Sequence, residues 1–456
     1  MRTGRVGGAL VLAMAMVVTS NAGASSNHVT SDNLECATNV VSTWSVRRMA
    51  NETIAVPVSA MGLGGMVRAA RAGFGGMLLF GARGSTVMPT TLAALQRMTP
   101  GRYSMLVMTD EEGGGVERLT NLVASFPWAQ SMGASMSAAK ITALARRVGG
   151  QLSALGVNTD LAPVLDVDGR SVYPSATNPD GLRSFGGVPS LVAADGVAFA
   201  KGLRAANVTA VVKHFPGLGH ASGNTDFGPA QTLPWSTLQH SGLVPFARAI
   251  NDGASAVMLS NAEVPGLSAL PASISSAVIS VLRQVLNFHG LIMTDSLSAG
   301  AISALHLSVA QAAVKSLAAG ADLVLFGSAL SASISLTMAN RVSDVIVSAV
   351  RTGALARMTL VDAAAHVLAT RNTVACLTTS TTSTTSTTTI TTAVYLVPFY
   401  RAEVSLAHQL LRLRQTPQDR LAAFQTVDWP TALTWLQSKS GGRPSPPNRS
   451  RPCGWR

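Results

Sequence analysis

Acidic and basic side chains recur directly after the apolar segments in the middle of this 456-residue chain. Proteins use carboxylates as nucleophiles and as general acids or bases. Lysine, arginine and histidine hold the polar groups of ligands by charge-assisted hydrogen bonds. The side chains concerned are Asp110, Glu111, Glu112, Asp166, Asp168, Lys213, His214, Asn261 and Asp295. Whether they can perform chemistry together depends on whether the fold brings them to one place.

Eight short apolar runs define the elements that must position these side chains. The runs are Ile54–Val58, Gly76–Phe80, Ser104–Met108, Val157–Ala162, Thr209–Val212, Ala256–Leu259, Leu291–Thr294 and Ala321–Phe326. Continuous apolar runs are typical of parallel strands buried on both faces. Ala-rich helical stretches alternate with them, and Ala310–Gly320 and Val342–Arg371 are expected to cover the last strands. Eight such units predict an α/β fold of the TIM-type (β/α)₈ barrel class.

The barrel prediction gives the polar side chains a common location. In a (β/α)₈ barrel, the active site lies at the carboxyl ends of the strands. Charged or hydrogen-bonding residues end five successive runs, from the third to the seventh. We therefore predict one polar pocket at that end of the barrel. The Gly-rich fingerprint of a dinucleotide-binding fold is absent from the sequence.

Five motifs in this region resemble glycoside hydrolase family 3, in its short, single-domain β-N-acetylhexosaminidase branch. They are MTDEEGGGVERL at 108–119, LAPVLDV at 161–167, RSFGG at 183–187, KHFPGLG at 213–219 and LIMTDSLSAGAI at 291–302. The resemblance covers roughly residues 50–371. It implies a retaining glycosidase that hydrolyses terminal non-reducing β-linked N-acetylglucosamine.

The resemblance also implies roles for individual residues. Asp295 matches the nucleophile, whose carboxylate attacks the anomeric carbon and forms a glycosyl-enzyme. The alternative roles are a helix N-cap for Asp295 and a surface arginine for Arg118. Asn261 stands where a histidine is common and is kept as a candidate for the pocket. The other positions that match sugar-binding residues are Asp110, Arg118, Arg183, Lys213 and His214, whereas Glu112, Asp166 and Asp168 are expected to support loops behind the pocket.

The loop expected to supply the general acid/base departs from the family's pattern. The usual loop reads K-H-F-P-G-H-G, then four residues, then D-S-H, in which the last histidine is the acid/base and the aspartate orients it. Here the spacing is kept, but Asp226 stands at the histidine position, Asn224 at the aspartate position and Leu218 at the second histidine.

Three interpretations of this loop remain open. Asp226 is itself the acid/base, and the neutral Asn224 avoids repulsion between two close carboxylates; the paired change favours this interpretation. Alternatively, His220 on the same loop swings in and takes the role. In the third interpretation the loop is catalytically weak, and the protein binds its sugar or processes it slowly.

The resemblance also indicates a substrate class. Two-domain members of the family carry a second α/β domain, and residues 378–456 are too short and too polar to form one. This favours N-acetylglucosamine over a glucosidase-like specificity, and peptidoglycan fragments as the physiological substrate. Two other functions are alternatives: Schiff-base chemistry at Lys213, as in barrel aldolases, and sugar binding without turnover. No cofactor and no metal are expected, because the His and Cys spacings match no zinc pattern.

The ends of the chain predict export and a separate tail. Residues 1–24 combine Arg2 and Arg5, an apolar run and a small-residue site, which indicates a signal peptide or an N-terminal anchor. The barrel is expected over residues 37–376, a Thr/Ser-rich linker over 377–392 and a basic tail over 393–456. A disulfide between Cys36 and Cys376 would join the barrel ends. The net charge of +12 alone would suggest nucleic-acid binding. Because no nucleic-acid-binding motif accompanies the charge, we expect no nucleic-acid partner.

Overall fold

The computed structural model describes residues 31–327 and 331–371. Within them, eight parallel strands pair in chain order, each with the next. The strands are β1 Ala55–Ser59, β2 Gly76–Phe80, β3 Leu106–Thr109, β4 Thr159–Asp160, β5 Thr209–Phe215, β6 Ala256–Leu259, β7 Leu291–Ser296 and β8 Leu323–Leu325. A parallel bridge between Ile54 and Val324 joins the last strand to the first. The predicted (β/α)₈ barrel is confirmed.

Helices lie between successive strands and cover the outside of the barrel. They are α1 Ser31–Ser42, α2 Val46–Glu52, α3 Val67–Ala72, α4 Met88–Arg97, α5 Ala129–Ser135, α6 Ala138–Leu155, α7 Pro189–Arg204, α8 Trp235–Leu238, α9 Leu243–Asn251, α10 Ser276–Ser280, α11 Gly300–Ser303, α12 Val309–Ala319, α13 Ala332–Arg351 and α14 Arg357–Thr370. Local sequence explains their ends. Ser308 begins α12 in a capping box with Gln311, and Gly320 ends it at φ 109°, a conformation that favours glycine.

Two apolar layers hold the barrel together. Side chains from alternate strand positions, including Leu78, Met108 and Met293, fill the interior of the barrel. Their neighbours point outward and pack under the helices, as Met77 and Leu79 do. Because both faces of every strand are buried, the continuous apolar runs of the sequence are explained.

Several predicted segments differ from the structure in extent, most of all the fourth run and the last helical segment. The fourth run is predicted over Val157–Ala162, but only Thr159–Asp160 forms a strand. Pro163 follows shortly after, and it has no N–H with which to continue the hydrogen-bond ladder. The predicted helical segment 342–371 begins earlier, at Ala332, and is divided where Gly353 adopts φ 79°. Neither difference moves the strand ends that carry the polar side chains.

The amino ends of the strands are closed by a buried ion pair. Glu52 ends α2, and its carboxylate pairs with Arg48 and with Arg371, which follows α14. Cys36 on α1 is disulfide-bonded. Its predicted partner Cys376 lies outside the described residues, so that pairing stays a prediction, as do the N-terminal segment, the linker and the tail. Among the described helices, none has the length and apolarity needed to cross a membrane.

Candidate active site

A cavity of about 520 Å³ opens at the carboxyl ends of the strands. Its size lies in the range of sites that bind small molecules. Of the nine residues that the sequence proposed for the site, the wall contains Asp110, Arg118, Arg183, Lys213, His214, Asp226 and Asp295. The structure therefore brings seven side chains, separated by up to 185 positions in the chain, to one pocket.

A network of opposite charges forms the floor of the pocket. Lys213, in β5, places its Nζ 2.8 Å from Asp110 Oδ1 and 2.5 Å from Glu112 Oε1. Arg183 donates two hydrogen bonds to Glu112, at 2.8 and 2.9 Å. Arg118 Nη2 lies 3.6 Å from Asp110 Oδ2. Glu112 lines the pocket and connects two of its cations, which is a more central place than the supporting one expected for it.

The network fixes the charge of its members. Burial would raise the pKa of Asp110, but Lys213 and Arg118 outweigh it and hold that pKa below its ordinary value. Burial lowers the pKa of Lys213, and Asp110 and Glu112 outweigh this effect and raise it. A Schiff-base lysine must lose its proton readily, whereas Lys213 is held protonated. The structure therefore speaks against the aldolase alternative.

Lys213 also affects stability, because its removal takes away the cation that Asp110 and Glu112 share and leaves Asp110 with Arg118 at 3.6 Å. We expect Lys213→Met to lower the free energy of unfolding by about 3 to 5 kcal/mol, the usual cost of breaking a buried ion pair from one side. Lys201→Met is the matched control, since Lys201 pairs with Asp252 at the surface and should matter by less than about 1 kcal/mol. Urea unfolding of both variants measures the difference; equal losses would contradict the prediction.

His214 is held as a neutral acceptor. Its Nδ1 lies 2.7 Å from Asp166 Oδ2, and its Nε2 lies 3.4 Å from Arg183 Nη2. Burial lowers the pKa of His214 to about 4, and Arg183 acts in the same direction. The bond to Asp166 assigns the proton to Nδ1, so Nε2 is a hydrogen-bond acceptor, and Arg183 Nη2 faces it.

Asp295 occupies the end of β7, as the sequence predicts for a nucleophile. It is half-buried in the pocket wall, and its Oδ1 accepts a hydrogen bond of 2.7 Å from the Ser296 N–H. Burial raises the pKa of Asp295, and the negative charge of Asp226 raises it further. The two carboxylates are therefore close enough to interact. Both side chains line the same pocket, as a nucleophile and a general acid/base must.

The loop that carries Asp226 is fastened on two sides. Asn224 donates from its backbone N to Ala176 O at 2.9 Å and from Nδ2 to Ser175 O at 3.2 Å, and its Oδ1 accepts from Asp226 N at 3.0 Å. On the other side, the Gly300 N–H donates to Asp226 O at 3.0 Å. These bonds hold the exposed Asp226 side chain over the pocket. Asn224 thus braces the loop, a role that the sequence did not suggest.

The brace gives a prediction for Asn224 itself. Asn224→Ala removes both side-chain hydrogen bonds, so we expect kcat to fall about tenfold as the acid/base position loosens. KM should change much less, because the charged floor of the pocket is intact. The control is Ser222→Ala on the same loop, whose hydroxyl bonds only Gln231 N. Steady-state kinetics with an aryl glycoside measure both variants, and an unchanged kcat in Asn224→Ala would contradict the brace.

Two proposed site residues lie outside the pocket wall. His220 is exposed, with φ 60°, and lies near Asp168. Asn261 is buried behind the wall, where it donates to Ser296 O at 2.8 Å and accepts from Ser273 Oγ at 2.6 Å. It supports the backbone beside Asp295. Asp168 supports a loop, as expected, by a two-pronged pair with Arg170.

Asp180 carries no sequence signal for the site, because this aspartate follows no strand. It is buried next to Asp166 on the loop between β4 and α7. One atom each from Asp166, Asp180 and His214 lie within 4.8 Å of one another. The 2.7 Å hydrogen bond between His214 and Asp166 leaves no room for an ion between those two atoms. His214 and Asp166 therefore form a hydrogen-bonded pair, and Asp180 lies buried beside them.

Comparisons with known proteins agree with this architecture. Residues 43–370 match the family model described as the glycosyl hydrolase family 3 N terminal domain. Over 237 residues, the chain is 36% identical to the β-hexosaminidase LpqI of Mycobacterium tuberculosis, a match that covers 50% of this chain and 59% of that protein. An uncharacterized secreted glycosyl hydrolase of Arthroderma benhamiae is 31% identical over 294 residues, which are 62% of this chain and 80% of its own.

Solved structures give the same result. The structure of M. tuberculosis LpqI superposes with a TM-score of 0.66 at 31% identity, over 74% of this chain and 96% of the other. The β-N-acetylhexosaminidase from Beutenbergia cavernae gives 0.65 at 31% identity, over 72% and 99%. Because the family model matches well over half of its residues, from the first barrel strand to the last helix, the chain belongs to glycoside hydrolase family 3.

Proposed function

We propose that this protein is a retaining β-N-acetylhexosaminidase that hydrolyses terminal, non-reducing β-linked N-acetylglucosamine. The observation that carries the proposal is the half-buried Asp295 carboxylate, which shares one pocket with Asp226 and with a floor of fixed charges. The similarity to proteins named β-hexosaminidase supports the sugar. The match spans only 59% of LpqI, so the name of that relative does not by itself establish the activity of this chain.

The charged floor is suited to hold a sugar ring by its hydroxyls. Asp110 is ionised and accepts hydrogen bonds, whereas Lys213 and Arg118 beside it donate them. His214 Nε2 is a further hydrogen-bond acceptor. Such charge-assisted bonds are short and directional, so they fix the ring with its anomeric carbon in front of Asp295.

The reaction then takes two steps. Asp295 attacks the anomeric carbon and forms a covalent glycosyl-enzyme, while Asp226 gives its proton to the departing glycosidic oxygen. A water molecule then attacks the same carbon, Asp226 takes up the water's proton, and the Asp295 carboxylate leaves. Two inversions return the sugar with its original β configuration.

We propose N-acetylglucosamine linked to N-acetylmuramic acid, in peptidoglycan fragments, as the physiological substrate, with the protein exported. Support for export comes from residues 1–24, whose pattern is that of a signal peptide or anchor, and from the secreted fungal relative. Support for a short oligosaccharide comes from the pocket, which is closed at its base by the barrel interior and therefore accepts a chain end.

A second candidate is a sugar-binding protein with little turnover. The observation in its favour is the exposed Asp226 at the position where the family's pattern has a histidine. The two candidates make different predictions for binding and catalysis. An enzyme turns over its ligand, whereas a binding protein holds N-acetylglucosamine without releasing a product.

The experiment is an assay on 4-nitrophenyl N-acetyl-β-glucosaminide, with the product followed by proton NMR. Steady release of nitrophenol together with β-N-acetylglucosamine as the first anomer supports the proposal. The α anomer as first product would contradict retention. Calorimetric binding of N-acetylglucosamine without turnover would favour the second candidate. If the protein shows no binding and no turnover, both candidates are excluded.

A further inference from the structure

Asp180 is a buried carboxyl group without a protein donor. Its relative exposure is 0%, and neither side-chain oxygen receives a hydrogen bond from any N–H or O–H group in the described residues. An ionised carboxylate in such surroundings is strongly unfavourable, because burial removes its water and nothing replaces it. The group therefore needs a proton of its own.

The neighbouring Asp166 has a place for that proton. Its carboxylate accepts hydrogen bonds from Leu218 N at 2.7 Å, from His214 N at 3.1 Å and from His214 Nδ1 at 2.7 Å. An ionised carboxylate offers about four acceptor positions. Three N–H donors leave one, and Asp180 is the remaining hydrogen-bonding neighbour.

We infer that Asp180 is a neutral carboxylic acid that donates its O–H to Asp166 and thereby positions His214. Two adjacent buried carboxyl groups commonly share one proton, because both cannot be ionised at once. Burial, and then the charge of Asp166, raise the pKa of Asp180 well above its ordinary value, in agreement with the hydrogen-bond count.

The proton on Asp180 determines what His214 presents to a ligand. With Asp180 neutral, the pair carries one negative charge, His214 stays neutral and its Nε2 accepts hydrogen bonds. An ionised Asp180 would add a second negative charge and favour the imidazolium form. Nε2 would then become a donor. Asp180 is thus a positioning residue, and it acts through Asp166.

The test compares a replacement that keeps the donor with one that removes it. Asp180→Leu leaves Asp166 short of a partner, so kcat/KM for an aryl N-acetyl-β-glucosaminide should fall about tenfold or more. Asp180→Asn keeps a neutral N–H donor and should restore most of that loss. If the Asn and Leu variants lose activity equally, the inference is wrong.

Infrared spectroscopy tests the proton itself and does not depend on any activity. The full chain near neutral pH should show a carboxylic-acid C=O band that Asp180→Asn lacks and that Asp195→Asn keeps. The absence of this band would overturn the inference, whether or not the protein hydrolyses the sugar. So would a stoichiometric divalent ion, detected by elemental analysis, that Asp180→Asn no longer binds.

The alkaline limb of the pH profile provides a third readout. The groups that face Asp180 are Asp166, Arg183, His214 and Arg170, and the arginines keep their charge throughout. As pH rises through the raised pKa of Asp180, the parent should lose the donor and therefore activity. Asp180→Asn cannot ionise and should keep its activity to higher pH; coincident limbs would contradict the inference.

A separate observation concerns the mouth of the pocket. Within the described residues, Tyr173 and Phe227 are the two exposed aromatic side chains, at 71% and 73% exposure. Tyr173 directly precedes Pro174, and Phe227 directly follows Asp226, both of which line the pocket. The two loops are joined through Asn224, which bonds Ser175 and Ala176. Exposed aromatic groups beside a binding pocket are typical of a recognition surface.

We propose that Tyr173 and Phe227 form a subsite for the sugar ring on the leaving-group side of the cleaved bond. This proposal rests on the proposed function. Aromatic faces carry partial negative charge, and the C–H groups of a pyranose ring pack against them. Because Pro174 and Asp226 both line the cavity, a second sugar attached to the buried one would pass close to the loops that carry the two rings.

The test separates the leaving-group sugar from the buried sugar. Tyr173→Ala and Phe227→Ala should each lower kcat/KM for N,N′-diacetylchitobiose about fivefold. Neither should change hydrolysis of N-acetyl-β-glucosaminyl fluoride, whose leaving group has no ring. Leu191→Ala is the control, an exposed apolar residue on α7. Equal effects on both substrates, or none on the disaccharide, would overturn the subsite.

If the parent hydrolyses neither compound, the proposed function fails, and binding decides the subsite. Calorimetry then compares the disaccharide with N-acetylglucosamine alone. A disaccharide advantage that disappears in Tyr173→Ala and Phe227→Ala supports the subsite. A parent without that advantage contradicts it.

Discussion

Replacing Asp295 with alanine is expected to lower kcat for an aryl N-acetyl-β-glucosaminide by about a thousandfold or more. The Asp295 carboxylate forms the glycosyl-enzyme. Among the described residues of the pocket wall, it is the carboxylate that β7 supplies. KM should change little, because Asp110, Lys213 and Arg118 still hold the sugar. Steady-state kinetics provide the measurement, and a variant with a tenth of the parent's kcat would exclude Asp295 as the nucleophile.

A matched control and a direct chemical readout accompany this variant. Asp252→Ala removes an aspartate that pairs with Lys201 and Arg248 outside the pocket, so kcat should remain within about twofold. A fluorinated N-acetylglucosaminyl fluoride that slows the second step should leave a covalent adduct. Mass spectrometry should locate that adduct on the peptide that contains residues 291–296, and an adduct elsewhere would contradict the assignment.

The barrel is predictable from sequence because each strand has the same environment. Both faces of a parallel barrel strand are buried, so every strand becomes a continuous apolar run, and five of the expected runs overlap their strands almost completely. Strand ends are less predictable. At β4, the regular strand ends at Asp160, although Leu161 and Ala162 are more apolar than Thr159 and Asp160. Apolar character reports burial, and it does not report which backbone groups remain paired.

The side chains that line the pocket are predictable for a related reason, whereas the residues that hold them in place are not. Lys213 and Asp295 stand within or at the end of a strand, where the fold fixes their position. Asn224 and Asp180 owe their positions to loop contacts that join segments about 50 and 14 residues apart, such as Asn224 with Ser175 and Asp180 with Asp166. Such contacts have no period and no motif. The sequence therefore identifies the side chains that face the ligand and misses those that hold them.

Replacing Asp226 with asparagine is expected to cost about 10²- to 10⁴-fold in kcat/KM for N,N′-diacetylchitobiose, the usual contribution of a general acid/base. The loss should be much smaller for an aryl glycoside with a good leaving group, because such a group departs without protonation. Azide should accelerate the variant on that substrate and give the β-glycosyl azide, since azide needs no base to attack. His220→Ala is the comparison variant. A leaving-group-dependent loss in His220→Ala instead would assign the role to His220.

The same variant tests whether the two carboxylates interact. Burial raises the pKa of Asp295, and the charge of Asp226 raises it further. The nucleophile must be ionised, so kcat/KM falls as pH drops through that raised pKa. Asp226→Asn removes the like charge, and the acid limb should therefore move to lower pH, measured with the aryl glycoside. Asp226→Glu should leave the limb in place. An unmoved limb in Asp226→Asn would mean that Asp226 stands too far from Asp295 to act on the same glycosidic bond.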